Sequence, residues 1–204
     1  MRVGSQTSSH HYTMIDTAIL AVGIAAGAVA LYYAGPKNTV PMKGSDGKTY
    51  EMQNLPHKEE ALKLMVKIHE NLEKLRAYYT EPALAADPPI GRFLANFSSD
   101  VFVENDMQSS DTSYSENKGQ KIVVCLRDKT RPPDYPLVDE NTVMFVILHE
   151  MSHLMTETIG HTPEFWNNFK RVLHDAVSLG IYRSVNYAHS PTPYCGMKIT
   201  DSPI

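Results

Sequence analysis

The sequence has only two cysteines, Cys125 and Cys195, in 204 residues, which is too few for a disulfide framework. They read as two buried free thiols, since a single bridge between them would need an oxidising compartment. Neither sign of charge dominates. The chain has 19 Lys and Arg against 23 Asp and Glu, a formal net charge of −4, so there is no basic excess of the kind that binds nucleic acid. No internal repeat is apparent, which sets aside a solenoid. Long apolar runs are scarce too, with one near the N-terminus. What remains is 42% hydrophobic, enough for a real core, and the length suits one ordinary domain with additions.

The single apolar run is uncharged from Ala18 to Ala34. As a helix it would measure about 26 Å, slightly short of a hydrocarbon core of about 30 Å. Tyr32 and Tyr33 stand where interfacial aromatics are expected. The expectation is a polar tail over 1–14, a single transmembrane anchor over 15–35, a linker over 36–42 and a folded domain over 43–204. A cleaved signal peptide ending near Ala28-Val29-Ala30 and a buried soluble helix are the competing readings. Lys37, Lys43 and Lys48 follow the run and only Arg2 precedes it. The positive-inside bias therefore puts the folded domain on the cytoplasmic side of a single-pass membrane protein. Gly23 and Gly27 would let two such helices pack closely as a dimer. His10-His11 reads as part of a solvated tail.

Beyond the linker, Ser45-Asp46-Gly47-Lys48 supplies a hairpin turn, followed by a strand over 48–52. From His57 to Tyr79 an apolar stripe (Ala61, Leu62, Leu64, Met65, Ile68, Leu72, Leu75) faces Lys and Glu, the pattern of an amphipathic helix. Residues 80–90 read as a loop, 90–97 as a short helix and 101–104 as a strand, and 105–119 as polar and turn-rich. Gln120 to Arg127 is the clearest strand. It has two readings, as a strand lining a cleft and binding an extended peptide by strand addition, or as an interior strand. Pro163 to Leu179 reads as a helix and Ile181 to Val185 as a strand. The tail from Ala188 shows no periodicity.

The centre of the chain is His149-Glu150-Met151-Ser152-His153, an HExxH sequence inside a long apolar helix. Residues four apart share a helix face, so His149 and His153 can offer two imidazoles to one metal ion. Glu150, beside the first ligand, can reach a metal-bound water and act as general base. This is the chemistry of a zinc peptidase. Asp139 or Asn141 would cap the helix start, and Gly160 its end. His161 follows at the turn and is the expected third ligand, with Glu157, Glu164, His174 and His189 as alternatives. Thr162-Pro163-Glu164 reads as an N-cap, an N1 proline and an acidic first turn. Tyr187, His189 and Tyr194 are further candidates to approach the metal as oxyanion donors or as a replacement ligand.

The stretch HEMSHLMTETIGHTPEFW, His149 to Trp166, resembles the WLM and SprT-like zincin peptidases. The correspondence falls on His149, Glu150, His153, His161 and the step Pro163-Glu164-Phe165-Trp166. The wider chain is similar to short, membrane-anchored WLM-like proteins of large DNA viruses, through Thr112-Ser113-Tyr114-Ser115, Asn117-Lys118-Gly119, Cys125-Leu126-Arg127 and Tyr194-Cys195-Gly196-Met197. The resemblance implies an α+β minimal zincin fold, a small mixed sheet with an active-site helix and backing helices. It also implies Zn2+ held by His149, His153 and His161, with Glu150 as base and a protein or peptide as substrate. Cellular relatives act on proteins crosslinked to DNA, but this chain has no basic stretch and direct nucleic-acid binding is not expected. The alternative expectation is a catalytically silent zincin fold serving as a structural or interaction module.

Overall fold

Seven short strands and five helices make up the part of the chain described by the computed structural model, residues 38–98, 101–116 and 119–204. The first hairpin pairs β1 (Thr39–Lys43) with β2 (Thr49–Gln53), so the strand begins within the stretch expected to be a linker. Gly47, at φ +83°, supplies the left-handed turn position expected of it. The sheet continues through β3 (Phe102–Glu104) and β5 (Lys121–Val124) to β4 (Tyr114–Glu116), in the order β1-β2-β3-β5-β4. The outer pairs β1–β2 and β4–β5 are antiparallel and the inner pairs β2–β3 and β3–β5 parallel, the mixed sheet of an α+β fold.

Alternation along the strands sends Tyr50, Met52, Phe102, Ile122 and Val124 into one core. Helices cover that face. The amphipathic stripe of α1 (Lys58–Tyr79) buries Ala61, Met65, Ile68, Leu72 and Leu75. Residues 80–96 are more helical than expected. Proline in the first turn starts both a one-turn α2 (Pro82–Ala85) and α3 (Pro88–Asn96), where its missing N–H costs nothing. The central helix is α4 (Glu140–Met155), nearly apolar all round, packed against α1, α3, β4 and α5 (Pro163–Ser178). A helix buried on most sides needs such a composition.

Several expectations are corrected. Of the two readings of the clearest strand the interior one holds, since β5 lies between β3 and β4; the sheet edge next to it is β4, from a polar stretch expected to be turn-rich. The tail forms a second hairpin, β6 (Thr192–Tyr194) and β7 (Met197–Ile199). Ile181 to Val185 is not a strand: Ile181 and Tyr182 are buried in the core, while the backbone N–H of Arg183 donates to Asn141 Oδ1. Cys125 and Cys195 are joined in a disulfide across 70 residues, because the end of β5 and the turn of the second hairpin meet in the core.

Among the described residues no helix is long and apolar enough to cross a membrane. This corrects the single-pass membrane placement with its cytoplasmic soluble domain. The longest described helix, α1, carries Lys and Glu along its length and is a water-facing amphipathic helix. Residues 15–35, on which that expectation rests, lie outside the described residues, as do residues 1–14 with His10-His11.

One buried ion pair ties the sheet to the loop that leads into α4. Arg127 Nε donates to Glu104 Oε1 at 2.6 Å, with both side chains 0% exposed. The second carboxylate oxygen accepts the Gln53 N–H, and Arg127 Nη1 donates to the Pro56 carbonyl. Removing one partner strands a charge in the core, so Glu104→Ala is expected to lower stability by about 3–5 kcal/mol in urea unfolding. A loss below about 1 kcal/mol would show that the pair is not a structural tie.

Candidate metal centre

The site starts with the local chemistry of two helix ends. Asp139 caps α4 by accepting the Thr142 N–H, one of the two caps expected. The helix stops at Met155, earlier than Gly160, because Thr156 turns extended. Thr156 Oγ1 donates to the Ser152 carbonyl and accepts from Asn168 Nδ2 of α5, which fastens the two helices together. Gly160, at φ +85°, sits in the loop that follows. Thr162 then caps α5 by accepting the Phe165 N–H, with Pro163 in the first turn.

The loop between the helices is held by Glu164. Its carboxylate accepts the backbone N–H groups of Glu157 and Thr158 and the Thr158 hydroxyl. Arg92 of α3 donates through Nη2 to the same carboxylate and through Nε to the Met155 carbonyl, closing the C-terminus of α4. These N–H donors hold the Glu164 carboxyl below its usual range. Glu164 is therefore a loop clamp rather than a ligand. Glu164→Ala is expected to weaken zinc binding about tenfold by loosening this support, and to speed amide exchange at Glu157 and Thr158. Unchanged exchange there would remove the clamp from the description.

The loop delivers His161 to His149 and His153. Their ligand atoms all lie within 4.8 Å of one another, and His161 Nε2 is 3.1 Å from His149 Nε2. Nitrogens on a tetrahedral zinc with Zn–N near 2.0–2.1 Å stand about 3.3 Å apart, so the His149–His161 spacing fits. A set of three imidazoles suits zinc by ligand type as well. Phe165 lies under all three rings, with centroids 4.8, 4.4 and 4.7 Å from those of His149, His153 and His161. Burial, then the neighbouring His153 and His161, push the His149 imidazole down to about 3. Burial and then His161 lower that of His153. Both rings are biased toward the neutral form, which carries the lone pair a metal needs.

The alternative ligands fall elsewhere. Glu157 is exposed and 3.8 Å from Arg92 in an ion pair. His174 and His189 are exposed, and neither joins the cluster. Tyr187 is buried against Phe145, and the Tyr194 hydroxyl donates to the Cys125 carbonyl.

Glu150 lines the same cleft as His149 and His161. Its carboxylate accepts the backbone N–H of Ser115 on β4, while burial raises it to about 7. A base poised near neutral pH combines availability with driving force. The Ser115 contact went unseen in the sequence because β4 itself did. Gly119, at φ +95° ahead of β5, comes close to both α3 and α4, where a Cβ would stand 2.7 Å from the Asn96 carbonyl oxygen and 2.9 Å from Leu154 Cδ1. The cluster opens into a cleft of about 420 Å3, lined by Phe145, Val146, Trp166 and Phe169 and by residues 197–201.

Fold and site together define a mixed α+β domain with an HExxH helix and a third histidine beyond it. No family model matches the chain. The chain is 31% identical over 157 residues to the uncharacterized protein R325 of Acanthamoeba polyphaga mimivirus, spanning 76% of this chain and 78% of that protein. It is 29% identical over 170 residues to the uncharacterized protein 136R of Invertebrate iridescent virus 6, covering 83% and 93%. It belongs to the viral protein family that includes R325. Among solved structures it is similar to a mutant of Wss1 from Saccharomyces cerevisiae, with a TM-score of 0.49 and 20% identity over 63% of this chain and 87% of that one. A second Wss1 structure gives a TM-score of 0.45 at 22% identity.

Proposed function

We propose that the chain is a zinc-dependent metallopeptidase whose substrate is an extended protein or peptide segment. The observation that carries this reading is the meeting of His149, His153 and His161 on a cleft that the half-buried Glu150 also lines. The three imidazoles would hold the ion. Zinc held there would supply a Lewis acid and lower the pKa of its water to about 7.

The remaining work falls to the chain's own groups. Glu150 takes a proton on a carboxylate oxygen and can return it to the leaving amine. Ser115 N–H fixes the direction of that carboxylate. β4 is the sheet edge beside Glu150, and an extended substrate can lie along it. The resemblance of His149 to Trp166 to the WLM and SprT-like pattern supports the same reading.

Incubation of the full chain with an unfolded protein tests it. Cleavage that stops on chelation and returns on adding zinc is expected. A folded, zinc-loaded chain that cuts neither unfolded proteins nor short peptides would overturn the reading.

A further inference from the structure

The second hairpin belongs to the cleft more than to the sheet. Among the described residues β6 and β7 pair only with each other, and their turn residues, Cys195 and Gly196, have φ of +50° and +87°. Two consecutive positive values match the tight turn that joins two adjacent strands. Two ties bind this small unit to the main sheet. One is the Cys125–Cys195 bond. The other is Tyr194, whose hydroxyl donates to the Cys125 carbonyl at 3.0 Å and is 2.5 Å from Ser113 Oγ. Ser113 in turn accepts the Cys125 N–H and stands just before β4, the strand that orients Glu150.

So fixed, β7 lines the cleft into which the histidine cluster opens. Met197 shares that lining with Phe145, Phe169, Trp166, His149 and Glu150, and Ile199, also on it, is buried in the core. Met197 is 51% exposed and Trp166 38%, large apolar groups left open to solvent on the cleft. Water-facing apolar walls beside a reactive centre are favourable only once something apolar fills them.

The geometry points to the clamped hairpin as the specificity wall of the cleft: Met197 and Trp166, with the buried Ile199 supporting the strand, select a substrate carrying a large apolar side chain next to the bond presented to Glu150. This inference rests on the peptidase reading for its substrate class. Its test reads binding rather than cleavage, so the two can fail separately.

Trp166 is the single tryptophan of the chain, and its fluorescence reports occupancy of the cleft directly. The experiment titrates the zinc-loaded full chain, as Glu150→Gln so that nothing is cut, with short peptides differing only by Leu, Phe, Lys or Asp at one position. The Leu and Phe peptides are expected to bind at least about tenfold tighter than the Asp and Lys peptides. Met197→Glu, at a half-exposed site that folding tolerates, is expected to abolish that preference and to favour the Lys peptide. Opening the Cys125–Cys195 bond with a dithiol leaves two thiols and the dithiol as its cyclic disulfide. It should weaken binding of the Leu peptide several-fold while the far-ultraviolet circular dichroism stays unchanged. Equal affinities across the series, no fluorescence response to any peptide, or an undiminished preference in Met197→Glu would each overturn the inference. Absence of hydrolysis by the unsubstituted chain would overturn the peptidase reading and leave this binding result standing.

Discussion

Glu150→Gln is expected to lower peptide hydrolysis by about 10²–10⁴-fold while zinc content stays unchanged. The amide has nearly the size of the carboxylate and can still accept the Ser115 N–H through its oxygen. It cannot take a proton at neutral pH, so the loss isolates proton transfer from shape. Ligand geometry is untouched, because the imidazoles of His149, His153 and His161 are held by α4, the following loop and the Phe165 ring rather than by Glu150. The effect is expected in kcat rather than KM. Activity within tenfold of the original would place the base on another residue.

His161→Ala is expected to weaken zinc binding by more than about 100-fold, beyond what loss of a supporting hydrogen bond costs. His161 sits on an exposed loop, and removing it leaves the apolar core of α4 and α5 intact. The metal-free stability should therefore move by no more than about 0.5 kcal/mol. The contrast appears on adding zinc. At about 100 times the dissociation constant, the original chain gains about 2.7 kcal/mol, and at the same concentration the variant gains no more than about 0.4 kcal/mol. Calorimetric melting with and without zinc reads both quantities. Equal stabilisation of the two proteins would mean that the third ligand is elsewhere.

The parts of the site legible in the sequence are those set by local spacing. HExxH places His149 and His153 on one face in any helix, and the Asp139 and Thr162 caps are read from residue type next to an apolar run. His161 follows from the same stretch, because a short loop returning onto its helix has few places to go. What escaped reading depends on distant partners. Tyr114–Glu116 is polar and short, and it becomes a strand only through pairing with β5. The second hairpin contains Pro193 and a Cys-Gly turn, without the alternation that marks a strand. The Cys125–Cys195 bond joins residues 70 apart, a separation that says nothing of proximity before the fold is known. The end of α4 was placed by Gly160, whereas the stop at Thr156 follows from its side-chain contacts with Ser152 and Asn168.

The most direct test of the three-histidine centre is the zinc content of the full chain after dialysis, joined to X-ray absorption at the zinc edge. About one zinc per chain is expected, with three nitrogen ligands at about 2.0–2.1 Å. A folded chain that retains no zinc, or one that keeps it undiminished after His149, His153 and His161 are all replaced by Ala, would contradict a metal centre at this site.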